Sequence, residues 1–159
     1  MNEPTDALLA SHVHISQVAL RSIRLERDLC VPGIAPGYVI TSQTLASLER
    51  ILSGLNGAHG ARAWTMTGPY GSGKSYFGLF LMNLLGTTEP DHLATLHALA
   101  QADSSLAHEV ERILENGRGF FVIPVTGYRA PLQECLRAGL EHAAQRLGQR
   151  LARPLLRPP

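Results

Sequence analysis

Gly68-Pro69-Tyr70-Gly71-Ser72-Gly73-Lys74-Ser75 is the stretch on which the reading of this chain turns. It satisfies the pattern G-x-x-x-x-G-K-[ST] at every fixed position. Upstream, residues 61–67 place Ala61, Ala63, Thr65 and Thr67 on one side and Arg62, Trp64 and Met66 on the other. With this alternation, the length of the segment and its glycine borders predict a strand, and Trp64 and Met66 are read as core. Downstream, residues 75–85 are apolar nearly all round and stop at Gly86, as expected of a helix packed beneath a sheet. A glycine-rich loop between such a strand and helix is built to wrap an anion at the helix N-terminus.

Each residue type in the loop has a physical task. Gly71 and Gly73 allow backbone conformations closed to other residues and bring amide groups within reach of phosphate oxygens. The unsatisfied amides and dipole of the first helical turn add positive potential at the same place. Lys74 supplies a compact, mobile ammonium suited to the β- and γ-phosphates, a role that a planar guanidinium fills poorly. It is the only lysine among 14 basic residues. Ser75 places a hydroxyl where it can ligate Mg²⁺, an ion that keeps several waters and takes few protein ligands. Ser72 and Ser75 are not read as nucleophiles, because no motif places a histidine beside them.

With these residues in place, the sequence resembles the P-loop NTPases, and the Gly-Pro-Tyr-Gly-Ser-Gly-Lys-Ser form is most similar to AAA-type ATPases. The resemblance is specific over residues 61–86 and weaker over 38–128. It also touches the ATPase portion of large bacterial proteins that act against phage and foreign DNA. It implies a three-layer α/β fold around a parallel sheet, with ATP and Mg²⁺ as ligands. Residues Gly68, Pro69, Tyr70, Gly71, Ser72, Gly73, Lys74, Ser75 and Tyr76 would then hold the nucleotide. A short apolar segment ahead of the first strand would lie against adenine; here it is Tyr38, Val39 and Ile40.

The chain departs from that family in one respect that matters for chemistry. P-loop ATPases carry a second motif, an apolar strand ending in Asp and often Glu, which orders the magnesium shell and polarises water. None of the 13 acidic residues follows a strand-like apolar run. The second strong strand candidate, residues 119–126, leads instead into Thr126 and Gly127, and Pro124 argues for a bulge or an edge. The sheet is therefore expected to be incomplete, with two or three strands of the usual five. A truncated or split reading frame, completion by a partner chain or oligomer, and a minimal nucleotide-binding unit are the three explanations. Without a catalytic carboxylate, nucleotide binding is expected and hydrolysis by this chain alone is not. No guanine-reading N-K-x-D motif is present, which favours ATP over GTP.

Working outward, a helix is read over residues 15–29, followed by a turn-rich connector through Pro32, Gly33, Pro36 and Gly37 and a short strand at 38–40. Thr41 or Ser42 caps a helix carrying Leu45, Leu48, Ile51, Leu52 and Leu55. Helical patterns follow from Thr88, Pro90 and Asp91 through Leu93, Leu96, Leu99 and Ala100, from Ser104 or Ser105 to Gly117, and from Pro131 through Leu151. The resulting division is an N-terminal helical or linker segment at 1–37, a nucleotide-binding unit at 38–153 and a proline-rich tail at 154–159.

Composition bounds the remaining possibilities. The 159 residues are 45% hydrophobic and 17% charged, as in one globular domain, and the formal charge is +1. No whole-chain field marks a nucleic-acid or membrane-surface protein. Cys30 and Cys135 are too few for a disulfide framework or a zinc site, so a reducing cytoplasm is expected. No secretory signal and no membrane span are read. His12 and His14 would share a strand face but lack a third ligand. Tyr128 and Arg129 follow the second strand at the end where ligands bind in open sheets, yet Arg129 reads best as solvated surface. The arginines at 137, 146, 150, 153 and 157 read as dipole-favoured surface rather than a nucleic-acid interface. A non-catalytic regulatory or interaction module, docking a partner through the 131–151 helix, is the alternative to nucleotide binding.

Overall fold

A computed structural model of the chain describes residues 21–57, 61–87, 89–115 and 119–152. Its helices are α1 (Leu25–Asp28), α2 (Ser42–Leu55), α3 (Lys74–Leu85), α4 (His92–Ala102), α5 (Ser104–Glu115) and α6 (Leu132–Ala152), with a 3-10 turn at Ala35–Gly37. The Thr41 hydroxyl caps α2 by accepting from the Thr44 amide at 3.2 Å. The Asp103 carboxylate does the same for α5, accepting from the amides of Ser105 and Leu106 at 3.0 and 3.1 Å. A hydrogen bond from the Ser105 hydroxyl, then the Leu106 amide, holds the Asp103 carboxyl below its ordinary value.

Packing centres on α3. One apolar cluster joins Leu48, Ile51 and Leu52 of α2 to Phe77, Phe80 and Leu84 of α3, Leu99 of α4, and Leu106, Ala107 and Val110 of α5. A second, smaller cluster gathers Leu29, Ile34, Ala35 and Leu79 on another side of α3. Because α3 is apolar nearly all round, it can serve both clusters at once. Its single buried amide, Asn83, donates to the Leu79 carbonyl at 3.0 Å and accepts from the Asp91 amide at 3.3 Å.

Asp91 is the polar hinge of this arrangement. Its buried carboxylate accepts from the amides of Gly33 at 2.8 Å and Ala35 at 3.1 Å, fastening the 33–37 turn to the start of α4. Asp28 plays a similar part nearer the N-terminus, taking Arg21, Arg27 and the Arg24 amide. The long helix α6 is attached through Arg146, which donates to the Val122 carbonyl at 2.7 Å and pairs with Glu89 at 3.3 Å.

The parallel α/β sheet expected from sequence is not formed: among the described residues every regular element is helical and none is a strand. The physical reason lies in where the strand-like segments find partners. Residues 119–126 give their backbone groups to Leu85, Glu26 and Arg146 rather than to a neighbouring strand. Their apolar side chains meet helices, with Val122 against Gly86 and Val125 against Gly139 of α6. Residues 61–67 run along α2, where the Trp64 ring and the Ala61 carbonyl press on Gly54. Period-two alternation reports a half-buried segment, but a strand also needs a ladder, and neither segment pairs with the other. Trp64 and Met66, expected in the core, are 43% and 46% exposed. Residues 38–40 form no strand either; Tyr38 and Ile40 pack on the α2–α3 cluster.

The helix read over 15–29 is helical only at Leu25–Asp28 among the described residues. Its earlier part, with His12, His14 and most of the 1–37 segment, lies outside them, as do Arg153, Arg157 and the 154–159 tail. No described helix is long and apolar enough to cross a membrane.

Asp91→Ala leaves two amides, Gly33 and Ala35, without an acceptor, at about 1–3 kcal/mol each where they are buried. The variant is expected to unfold at markedly lower urea concentration than the wild type, and Asp91→Asn, which keeps one acceptor oxygen, should fall between them.

Candidate functional site

Residues 68–75 form the turn into α3, and the conformation of that turn depends on two glycines. Gly71 and Gly73 both have φ of 80°. No atom lies within 4 Å of where a Cβ would stand on either, so backbone conformation and not space calls for glycine there. Gly73 is the N-cap of α3, and its carbonyl accepts the first helical bond, from Phe77 at 2.9 Å. The amides of Gly71 and Gly73 and the first amides of α3 meet no backbone acceptor among the described residues.

The Lys74 side chain folds back over this turn. Its Nζ donates to the carbonyls of Gly68 at 2.9 Å and Pro69 at 2.7 Å and to the Ser72 hydroxyl at 3.2 Å. Those three bonds use the three donors of an ammonium. An incoming anion would therefore exchange with loop carbonyls for the same protons.

Beside the loop lies an open cavity of about 310 Å³ with two walls. One comprises Met66, Thr67, Gly68, Pro69, Ser72, Gly73, Lys74 and Phe77; the other is Tyr38 with Thr41, Gln43, Thr44 and Ser47 around the first turns of α2. No carboxylate lines it, and the one formally charged side chain is Lys74. The N-terminal ends of α2 and α3 both border it, and neither has an acidic residue in its first turn. Helix dipoles and ammonium thus give the space a positive potential. Tyr38, Met66 and Phe77 supply apolar surface beside those polar groups, a mixture typical of small-ligand sites.

Of the nucleotide residues expected from sequence, Gly68, Pro69, Ser72, Gly73 and Lys74 line the cavity. Tyr70 is 97% exposed, Gly71 acts through its backbone, and Tyr76 turns away to donate to the Ile34 carbonyl at 2.7 Å. Ser75 is exposed in the first turn of α3 with its hydroxyl unengaged by any described residue. On the expected adenine side, Tyr38 reaches the cavity, held by edge contact with Tyr76 and a 3.1 Å hydroxyl bond to Thr44. Val39 is 76% exposed and Ile40, partly buried, packs against the α2–α3 cluster. Arg129 and Tyr128 are exposed, and neither borders the cavity.

Sequence reading missed Gln43, Thr44, Ser47, Met66, Thr67 and Phe77. The signal for the first three was the N-cap at Thr41, since a cap fixes which way the first helical turn faces. Among the described residues no group of three or more His, Cys, Asp or Glu is placed to hold a metal ion. A Mg²⁺ ion here would rely on phosphate oxygens and water, and the Ser75 hydroxyl, the expected protein ligand, is exposed at the start of α3 outside the cavity lining. Comparison with protein families, with curated proteins and with solved structures finds no match for this chain.

Two outcomes follow from this geometry. Gly73→Ala places a Cβ in the left-handed region and should lower stability by about 1–2 kcal/mol, read as a reduced melting temperature. Burial, and then the negative charge of Asp91, push the Tyr76 phenol above its ordinary value of 10.0. Its contribution to stability is complete below that ordinary value and is lost as pH rises through the raised one. Asp91→Asn should lower the Tyr76 midpoint only in part, because burial remains; the change in tyrosinate absorbance between proteins with and without Tyr76→Phe measures it.

Proposed function

We propose that residues 68–75 bind the β- and γ-phosphates of a nucleoside triphosphate, ATP in preference to GTP, accompanied by Mg²⁺. The observation that carries this reading is the placement of the chain's sole lysine. Lys74 stands over a cavity with no carboxylate, beside unsatisfied amides at the start of α3. In the bound state its ammonium gives up the Gly68 and Pro69 carbonyls for phosphate oxygens, and the amides of Gly71, Gly73, Lys74 and Ser75 contact the remaining oxygens. When bound, Mg²⁺ would neutralise phosphate charge, held in part by Ser75.

Turnover is a separate matter. In-line attack by water needs a group to orient and deprotonate it, and no acidic residue lines the cavity. We infer nucleotide binding without appreciable hydrolysis by this chain, in a cytoplasmic setting, with any catalytic carboxylate supplied by a partner chain or oligomer. The likeness of 68–75 to the AAA-type loop supports the ligand; it does not extend to a sheet.

One observation favours the interaction-module reading. Leu132, Leu136 and Leu140 recur every fourth residue along α6 and are 72%, 50% and 51% exposed, an apolar ridge on one helix face. A scaffold that works through this ridge would keep its biological effect in Lys74→Ala.

Calorimetric titration of Mg-ATP into wild type and Lys74→Ala decides between the two. A charge-assisted hydrogen bond of about 1.5–3 kcal/mol corresponds to a loss of roughly tenfold to a hundredfold in affinity. Equal affinity in the two proteins would remove the nucleotide reading.

A further inference from the structure

Resting on the nucleotide reading above, we infer that Gln43 is the base-selecting residue of the cavity, its carboxamide pairing with the N6 amino group and N7 of adenine. The wall that α2 contributes carries the hydroxyls of Thr41, Thr44 and Ser47 beside the Gln43 carboxamide. Thr41 and Thr44 share a hydroxyl bond at 3.0 Å, and Thr44 also bonds the Tyr38 hydroxyl. The Ser47 hydroxyl donates to the Gln43 main-chain carbonyl at 2.8 Å. Every side-chain hydroxyl on that wall is thereby engaged, and the Gln43 carboxamide, exposed and lining the cavity, alone meets no partner among the described residues and is free to face a ligand.

A carboxamide offers one donor and one acceptor side by side. Adenine presents the complementary pair, the N6 amino group beside the N7 acceptor, whereas guanine presents two acceptors there, O6 and N7, and can satisfy only the amide N–H. The N1–H and N2–H of guanine would be read by a carboxylate, and the cavity has none. Tyr38 and Phe77, whose rings lie 6.1 Å apart, give the apolar surface a base needs beside this polar contact. Lys74 and the loop hold phosphate on the other wall, so the two ends of a nucleotide are recognised by different segments of chain.

The experiment compares ATP, GTP, 7-deaza-ATP and inorganic tripolyphosphate, each with Mg²⁺, binding to wild type and to Gln43→Ala. The wild type should prefer ATP to GTP, and ATP to 7-deaza-ATP, by roughly tenfold. In Gln43→Ala both ratios should fall toward one while tripolyphosphate affinity stays unchanged. If the wild type binds 7-deaza-ATP as tightly as ATP, the inference fails without recourse to any variant. An ATP to GTP ratio that is the same in both proteins overturns it too, as does an equal loss of tripolyphosphate affinity in Gln43→Ala, which would mark a structural role. Failure of the wild type to bind tripolyphosphate at all overturns the loop reading, and this inference with it.

Discussion

The seating of α3 between two apolar clusters is the constraint from which the rest follows. A helix with one apolar stripe can be shifted or turned against its neighbour at modest cost, but α3 buries Phe80 and Leu84 on one side and Leu79 on another. Its rotation and its axial position are both fixed by close packing. The first turn of α3, and the amides it leaves unsatisfied, therefore stand at a defined place beside α2. Asp91 and Asn83 add directional bonds to this apolar seat, tying the 33–37 turn to α3 and α4. Tyr38 leaves that turn directly and enters the cavity wall.

Much of the helical framework could be read from the amino-acid order. Leu48, Ile51 and Leu52 in α2 and Leu106 and Val110 in α5 recur at helical spacing, and Thr41 and the Pro131 boundary mark where α2 and α6 begin. The loop was legible for a different reason, since positive φ at Gly71 and Gly73 and the lone Lys74 are local requirements visible in local sequence. The sheet was not. Whether 61–67 and 119–126 become strands depends on a neighbour to complete the ladder, and nothing within either segment encodes one. Trp64 shows the difficulty: alternation places it opposite Thr65, yet its ring meets α2 at Gly54 and remains partly in solvent.

The cavity was half legible. Its loop wall follows from a motif; its α2 wall follows from tertiary packing across Leu48, Leu52 and Phe77, which no periodicity specifies. Gln43 sits on the polar side of an amphipathic helix and looks like any solvated surface residue until Tyr38, Thr41 and Thr44 are seen to have used one another's hydroxyls. Tyr76 is the converse case. Its place next to Ser75 in sequence suggests the ligand, but the helical turn carries its ring to the opposite side, against Ile34.

Gly54 carries a mechanical implication. It lies against the Ala61 carbonyl and the Trp64 indole so closely that a methyl group in its place would collide with both. Gly54 is the penultimate residue of α2, in its last turn, where glycine is disfavoured less than in a helix interior. Main chain there rests on main chain with no compliant side chain between them. The contact sets the spacing between the last turn of α2 and the segment that runs on to Met66 and Thr67, so the separation of the two cavity walls is fixed partly at a point outside the cavity.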